Sequence, residues 1–189
     1  MKRFGVLIVI GAVLALAVFV ISKKSDDQVA SEEVASQVHP LGTTTAAIIE
    51  EEQKIIPAGY KKYIHATYGF SILYPEALAQ KEIDEGGNAS TIIFQNPAEG
   101  KGFQIFVVPY KGEQVSEEQF RRDIPSGVRQ NTEEVIVSGA KGAAFYSKDA
   151  LLGDTREVWF IKNGYLFEVT TLKLLEADLL EVLSTWEFI

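Results

Sequence analysis

The residues that could do chemistry in this chain are two histidines, three adjacent carboxylate pairs and a few glycine-bounded loops. His39 precedes Pro40, and His65 lies 26 residues further on. Neither has a carboxylate or second histidine at ligand spacing, so the two make no zinc motif and read as surface residues. The acidic pairs are Asp84-Glu85, Glu117-Glu118 and Glu133-Glu134. Paired acids are what general acid–base hydrolysis or a hard cation would need. Asp84-Glu85 runs into Gly86-Gly87-Asn88, but without the alternating ligands of a calcium loop, and it reads as a hairpin turn. Glu117-Glu118 fall in a first helical turn, where the helix dipole favours negative charge. Ser126-Gly127 and Ser138-Gly139 read as turns, because no Gly-x-Ser-x-Gly elbow surrounds either serine. Gly100-Lys101-Gly102 lacks the spacing of a phosphate loop. Asn88-Ala89-Ser90 matches a glycosylation triplet, a match frequent by chance. With no cysteine, disulfides, thiolate metal sites and a thiol nucleophile are excluded. The sequence therefore assigns no catalytic, cofactor-binding or metal-binding residue and no cofactor.

The elements that must position these residues divide the chain in three. Phe4–Ile21 is an 18-residue run, apolar except for Gly5 and Gly11, with Lys2-Arg3 before it and Lys23-Lys24 after it. As a helix rising about 1.5 Å per residue it spans about 27 Å, close to the hydrocarbon thickness of a bilayer. It ends Val18-Phe19-Val20-Ile21, bulky residues where a signal peptidase needs small ones. Residues 1–22 are thus expected to be one N-terminal transmembrane signal anchor. The N-terminus is expected in the cytoplasm and the C-terminal domain outside the cytoplasmic membrane. The only expected membrane partner contact is through Phe4–Ile21; a protein partner is expected but not named by the sequence.

Residues 23–59 contain no aromatic side chain, carry Glu32-Glu33 and Glu50-Glu51-Glu52, and are broken by Pro40, Gly42, Pro57 and Gly59. This composition reads as a flexible acidic linker. All 18 aromatics beyond Phe19 occur from Tyr60 onward, so residues 60–189 are expected to be the globular domain. The whole chain is 189 residues with net charge −8. Beyond Lys24 there are 14 basic and 26 acidic residues, or −12, a balance that argues against nucleic acid as a partner.

Within 60–189 short strand patterns alternate with turn signals. Lys61–His65 and Phe70–Tyr74 form one expected hairpin, and Ser90–Gln95 with Phe103–Val108 a second. Glu134–Val137 and Ala143–Ser147 flank an expected turn at Gly139–Gly142. The clearest hairpin is Arg156–Lys162, Asn163-Gly164, Tyr165–Thr171, because Asn-Gly accepts the two positive φ values of a type I′ turn. Alternation puts Tyr165, Phe167, Val169 and Thr171 on a buried face, and Leu166, Glu168 and Thr170 on a partly wet one. Ser116-Glu117-Glu118-Gln119 fits a capping box that opens a helix closed by Pro125 and Gly127. A second helix is expected over Leu174–Ser184, docking through Leu175, Leu179, Val182, Leu183 and Trp186, with a last strand after it. Strand runs with segregated helices mean α+β: an antiparallel β-sheet of about six to eight strands with helices packed on it.

Two segments resemble PsbP-like domains of the PsbP/Mog type. The opening Tyr68-Gly69-Phe70-Ser71-Ile72-Leu73-Tyr74-Pro75 is similar to that family's first strand. The ending is similar as well: Val158–Ile161, Asn163–Thr170, a Leu-rich helix and Ser184-Thr185-Trp186-Glu187-Phe188. The likeness covers about Tyr63 to Phe188. It departs after Pro75, where Glu76-Ala77-Leu78 stands in place of a pattern carrying Trp. The resemblance implies an α/β/α arrangement and a binding or assembly role without catalysis. Combined with the anchor, it implies a membrane-anchored bacterial envelope form. The expected function is therefore a membrane-anchored extracytoplasmic binding or assembly module. The alternatives are a small-ligand or metal carrier, with a pocket between sheet and C-terminal helix, and a hydrolase using a carboxylate pair.

Overall fold

The computed structural model describes residues 56–189, so the expected anchor, His39 and nearly all of the expected linker lie outside the described residues. Among the described residues, no helix is long and apolar enough to cross a membrane. The elements run β1 (Tyr60–His65), β2 (Phe70–Pro75), β3 (Ala79–Gly86), β4 (Ala89–Asn96), β5 (Lys101–Pro109), α1 (Glu117–Asp123), β6 (Gln130–Val137), β7 (Ala140–Asp149), β8 (Gly153–Lys162), β9 (Tyr165–Leu172), α2 (Glu176–Ser184) and β10 (Glu187–Phe188). The strands make two antiparallel sheets. Seven form the large one, in the order β3-β4-β5-β9-β8-β7-β6, and β1-β2-β10 form a small one.

The large sheet matches the expected strand number, but the strands do not make one sheet. β1 and β2 pair from Tyr60↔Pro75 to His65↔Phe70, and β10 joins β2 through Phe188↔Phe70. The small sheet and α2 cover one face of the large sheet. Between them lies a core of Phe70, Ile72, Ile92, Phe94, Ile105, Val107, Phe160, Phe167, Leu179, Val182 and Trp186. Phe70 stacks on Trp186, and Phe160 stacks on Phe167. Such aromatics each bury about 150–250 Å² and dominate core energetics. The opposite face of the large sheet holds a second cluster of Phe145, Trp159 and Leu166, closed by Ile124 and Phe120 of the α1 segment.

The β8–β9 hairpin forms as expected: Asn163 and Gly164 have φ of 52° and 80°, and Lys162 pairs with Tyr165. Three expectations change. β3 was not anticipated, because Lys81, Glu82, Asp84 and Glu85 give it the polar look of a loop; it is the outer strand, with a largely exposed surface. The β6–β7 turn is Ser138-Gly139 alone, so Gly142 lies inside β7 opposite Phe160. The face of β9 expected to be partly wet is drier than that: Leu166 and Glu168 are both covered, and Thr170 alone is half-buried.

The helices follow their caps. The Ser116 side chain accepts from the Gln119 N–H at 3.1 Å. The reciprocal half of the box is not made: Gln119 is buried, and its amide donates to Asp123 instead. Ser116→Ala is expected to cost about 1 kcal/mol, read as a lower urea midpoint for unfolding. The second helix begins as a 3₁₀ turn at Lys173–Leu175 and becomes α-helical only at Glu176. No side chain caps its start, and Leu172 precedes it instead of a Ser, Thr or Asp.

Candidate functional site

The adjacent acids singled out by sequence do not converge. Asp84 accepts the Gly86 N–H at 2.8 Å and Glu85 accepts the Thr91 hydroxyl at 2.8 Å, so this pair shapes the β3–β4 turn. Glu117 takes Arg129 at 2.8 Å on the surface, in the first turn of α1. Glu133 and Glu134 are neighbours along β6, and strand alternation sends them to opposite faces. Ser126 accepts from the Val128 N–H, and Ser138 lies in the β6–β7 turn at φ 46°. Gly100-Lys101-Gly102 leads from a turn into β5.

His65 departs from its expected open-surface setting. Its ring stacks on Tyr68 at 4.3 Å and on Phe70 at 5.7 Å. Its Nε2 meets Glu82 Oε1 at 3.1 Å, and its Nδ1 accepts the Tyr68 N–H at 3.3 Å. The ring thus ties β1 of the small sheet to β3 of the large one. Burial and the adjacent Glu82 push the Tyr63 hydroxyl, which also reaches Glu82, well above the ordinary tyrosine range.

The acids that do converge were not paired by sequence reading. Register puts Glu157 opposite Thr170 and Trp159 opposite Glu168, so all four side chains point to the face covered by α1. Glu157 is 7% exposed and Glu168 is 5% exposed. Glu157 accepts from the Thr155 hydroxyl at 2.7 Å, the Thr170 hydroxyl at 2.6 Å and Trp159 Nε1 at 3.3 Å. Glu168 faces Asp123, whose side chain is as buried as its own and which takes the Gln119 amide and Arg122 Nε. Burial pushes the Glu157 carboxyl up, against the three hydrogen bonds that favour its charge. Burial, then the neighbouring Asp123, pushes Glu168 up well beyond the carboxylate range. Alternation places Trp159 and Leu166 on the face of Glu157 and Glu168, but it does not bring the two acids together or name the element that covers them.

A cluster of perturbed acids is where catalysis is first sought. Here both acids are buried beside Phe120, Phe145 and Trp159 on the face that α1 covers, and the bonds of Glu157 go to neighbouring side chains. Among the described residues, no group of three His, Asp or Glu is arranged to hold a metal ion. The expected pocket between sheet and C-terminal helix is filled by Leu179, Val182, Leu183 and Trp186 packed on the core.

The Glu157 result carries a pH sign. An acid whose folded pKa is raised binds more protons when folded, so stability falls as pH rises from its unfolded value, about 4.5, through its folded one. Glu157→Gln keeps the side chain neutral and removes that fall. Its urea midpoint is expected to gain on the wild type between pH 5 and pH 8. Glu157→Ala is expected to lose stability at every pH. It strands Trp159 Nε1 and two threonine hydroxyls, at about 1–3 kcal/mol for a buried polar group left unpaired.

A second ionic centre lies on the opposite face. Arg156, 4% exposed, pairs with Glu133 of β6 and lies 3.0 Å from Glu176 in the first turn of α2. Its guanidinium sits over the Tyr146 ring, and the Tyr146 hydroxyl donates to Glu176 at 2.8 Å. This centre clamps α2 and β6 to β8.

No family model matches the chain, and no curated protein matches it. The chain is similar to the solution structure of cyanobacterial PsbP (CyanoP) from Synechocystis sp. PCC 6803. That similarity has 15% sequence identity, covers 70% of this chain and 94% of that one, and has a TM-score of 0.48.

Proposed function

We propose that this chain is a binding or assembly module, non-catalytic, held at the outer face of a membrane by Phe4–Ile21 on an acidic tether. The observation that carries the non-catalytic reading is the enclosure of the perturbed acids. A hydrolase needs its acid and base within hydrogen-bond reach of substrate. Glu157 instead bonds to Thr155, Thr170 and Trp159, and Glu168 is buried on the same face under α1. The anchoring reading is supported by the uninterrupted apolar run and its basic flanks.

Two measurements test the proposal. Protease added outside intact spheroplasts is expected to remove the 60–189 domain; its full protection would overturn the outside placement. Crosslinking in membranes is expected to capture a protein with the full chain and not with a chain lacking residues 60–189. Equal capture without the domain would sink the module reading.

A further inference from the structure

We propose that His65 is a pH-operated latch on the turn between β1 and β2. Uncharged, its ring holds the turn closed by accepting the Tyr68 N–H; protonated, it can only donate, and the turn lets go. This goes beyond the binding role and does not depend on it.

Two neighbours fix which ring nitrogen carries the proton. A neutral imidazole has one donor nitrogen and one acceptor. Nδ1 lies 3.3 Å from the Tyr68 backbone nitrogen, whose N–H can only donate, and Nε2 lies 3.1 Å from the Glu82 carboxylate, which accepts. The proton of the neutral ring is therefore on Nε2. A second proton goes on Nδ1, where it meets the Tyr68 N–H head-on, because a charged imidazole has two donors and no acceptor. The other contacts of the ring tolerate the charge. Glu82 accepts from Nε2–H in either state, and Tyr68 and Phe70 stack on the ring at 4.3 and 5.7 Å with faces that attract a cation. From β1, the Tyr63 ring stands at 6.1 Å, its hydroxyl shared with Glu82. Tyr165 of β9 meets the Tyr68 ring, and Asp84 of β3 adds a negative charge near it. Lys61 shares the His65 face of β1 but lies four residues away, and Lys62 faces the other side, against Glu187.

What yields is the turn, and the clasp to β3 stays. Ala66 and Thr67 are exposed. Two bonds close the turn across its mouth: the Tyr68 N–H to His65 Nδ1, and the Gly69 N–H to the His65 carbonyl at 2.9 Å. The Tyr68 side chain is pinned separately, by its hydroxyl to Ser90 Oγ at 3.0 Å and by its ring against Tyr165 at 5.0 Å. Losing the first bond therefore frees backbone and leaves the Tyr68 ring in the core. The same turn receives the chain beyond β10, where the Ile189 N–H donates to the Gly69 carbonyl at 3.0 Å. Opening the turn is thus felt at Ile189, while β1 remains tied to β3 through Glu82.

The test combines two NMR readings of the full chain in detergent micelles between about pH 8 and pH 5, the span in which histidine side chains change charge. Ring nitrogen shifts are expected to show the Nε2–H tautomer at the upper end and a doubly protonated ring on acidification. Amide exchange, corrected for its intrinsic pH dependence, is expected to show Tyr68 protection falling over the same range, by up to about tenfold per unit, the limit for one proton. Ile189 protection is expected to fall with it, while β8 and β9 amides hold theirs. In His65→Asn, whose amide oxygen can accept the same N–H at any pH, Tyr68 protection is expected to stay constant. The wild-type readings decide the matter if that variant does not fold. An Nδ1–H tautomer in the neutral ring, a ring that stays neutral throughout, or Tyr68 protection unaffected by protonation of the ring would overturn the latch. So would an equal fall in the variant.

Discussion

Replacing Trp186 with alanine is expected to be the most damaging single side-chain truncation in the domain, costing about 3–5 kcal/mol. Trp186 is 4% exposed, just beyond α2 and ahead of β10. Its ring stacks on Phe70 of β2 at 4.5 Å and meets Phe160 and Phe167 edge-on at 5.0 and 5.7 Å. One side chain therefore joins the small sheet, the end of α2 and the middle of the large sheet, and its loss opens a cavity that three separate elements border. Trp186→Phe separates packing from the indole N–H, which has no hydrogen-bond partner. That substitution removes an unpaired buried donor while losing part of the ring, so its cost is expected to be well below that of alanine. Urea unfolding of the three proteins checks this. Equal losses for Phe and Ala would mean that the N–H, and not the packing, holds the junction.

The junction was legible in the sequence. Leu175, Leu179, Val182, Leu183 and Trp186 recur at helical spacing, and all five are buried where that spacing requires. The β8–β9 hairpin was equally legible, because turn chemistry at Asn163-Gly164 and period-2 alternation agree on it. β3 was not, since an edge strand facing solvent on both sides has no hydrophobic alternation to read; its strand character comes from the β4 ladder. The acid cluster was illegible for a different reason. Glu157 and Glu168 are 11 residues apart and become neighbours only through the β8–β9 register, while Asp123 arrives from a separate helix. Local alternation can say that Leu166, Glu168 and Thr170 share a face. It cannot say that α1 covers that face, and the cover is what turns ordinary carboxylates into perturbed ones.

The two faces of the large sheet handle charge differently. On the α2 face, buried Arg156 meets two carboxylates that each keep part of their surface in water, so the arginine is compensated and the acids remain hydrated. Beneath α1, Asp123 is paired with Arg122 at 3.1 Å, while the more deeply placed Glu157 and Glu168 face no ion-pair partner among the described residues. The first arrangement is a fixed clamp. The second is held by neutral donors, the Thr155 and Thr170 hydroxyls and the Trp159 indole that surround Glu157.

Gly142→Ala is expected to damage the domain nearly as much as loss of Trp186, through the backbone and not through a cavity. Gly142 pairs with Phe160 in the pair that ends the β7–β8 ladder, at the end away from the turn that joins the two strands. A Cβ there would stand 2.2 Å from the Trp159 carbonyl oxygen and 2.7 Å from the Phe160 Cβ. The oxygen belongs to the strand itself, so no side-chain rotation relieves the clash and the two strands must separate. Overpacking of this kind costs about 1–3 kcal/mol and sometimes more, and each ladder group left unpaired adds about 1–3 kcal/mol. The strands being parted carry Phe160 to one core and Trp159 to the other, so both faces loosen together. A loss of about 3–5 kcal/mol is expected, a large share of the roughly 5–15 kcal/mol that holds a typical domain folded. Lys141→Ala, one residue away with its side chain exposed, is the control and is expected to stay within about 0.5 kcal/mol of the wild type. Thermal melts followed by circular dichroism separate the cases: equal midpoints for Gly142→Ala and Lys141→Ala would show that β7 and β8 do not approach closely at this position.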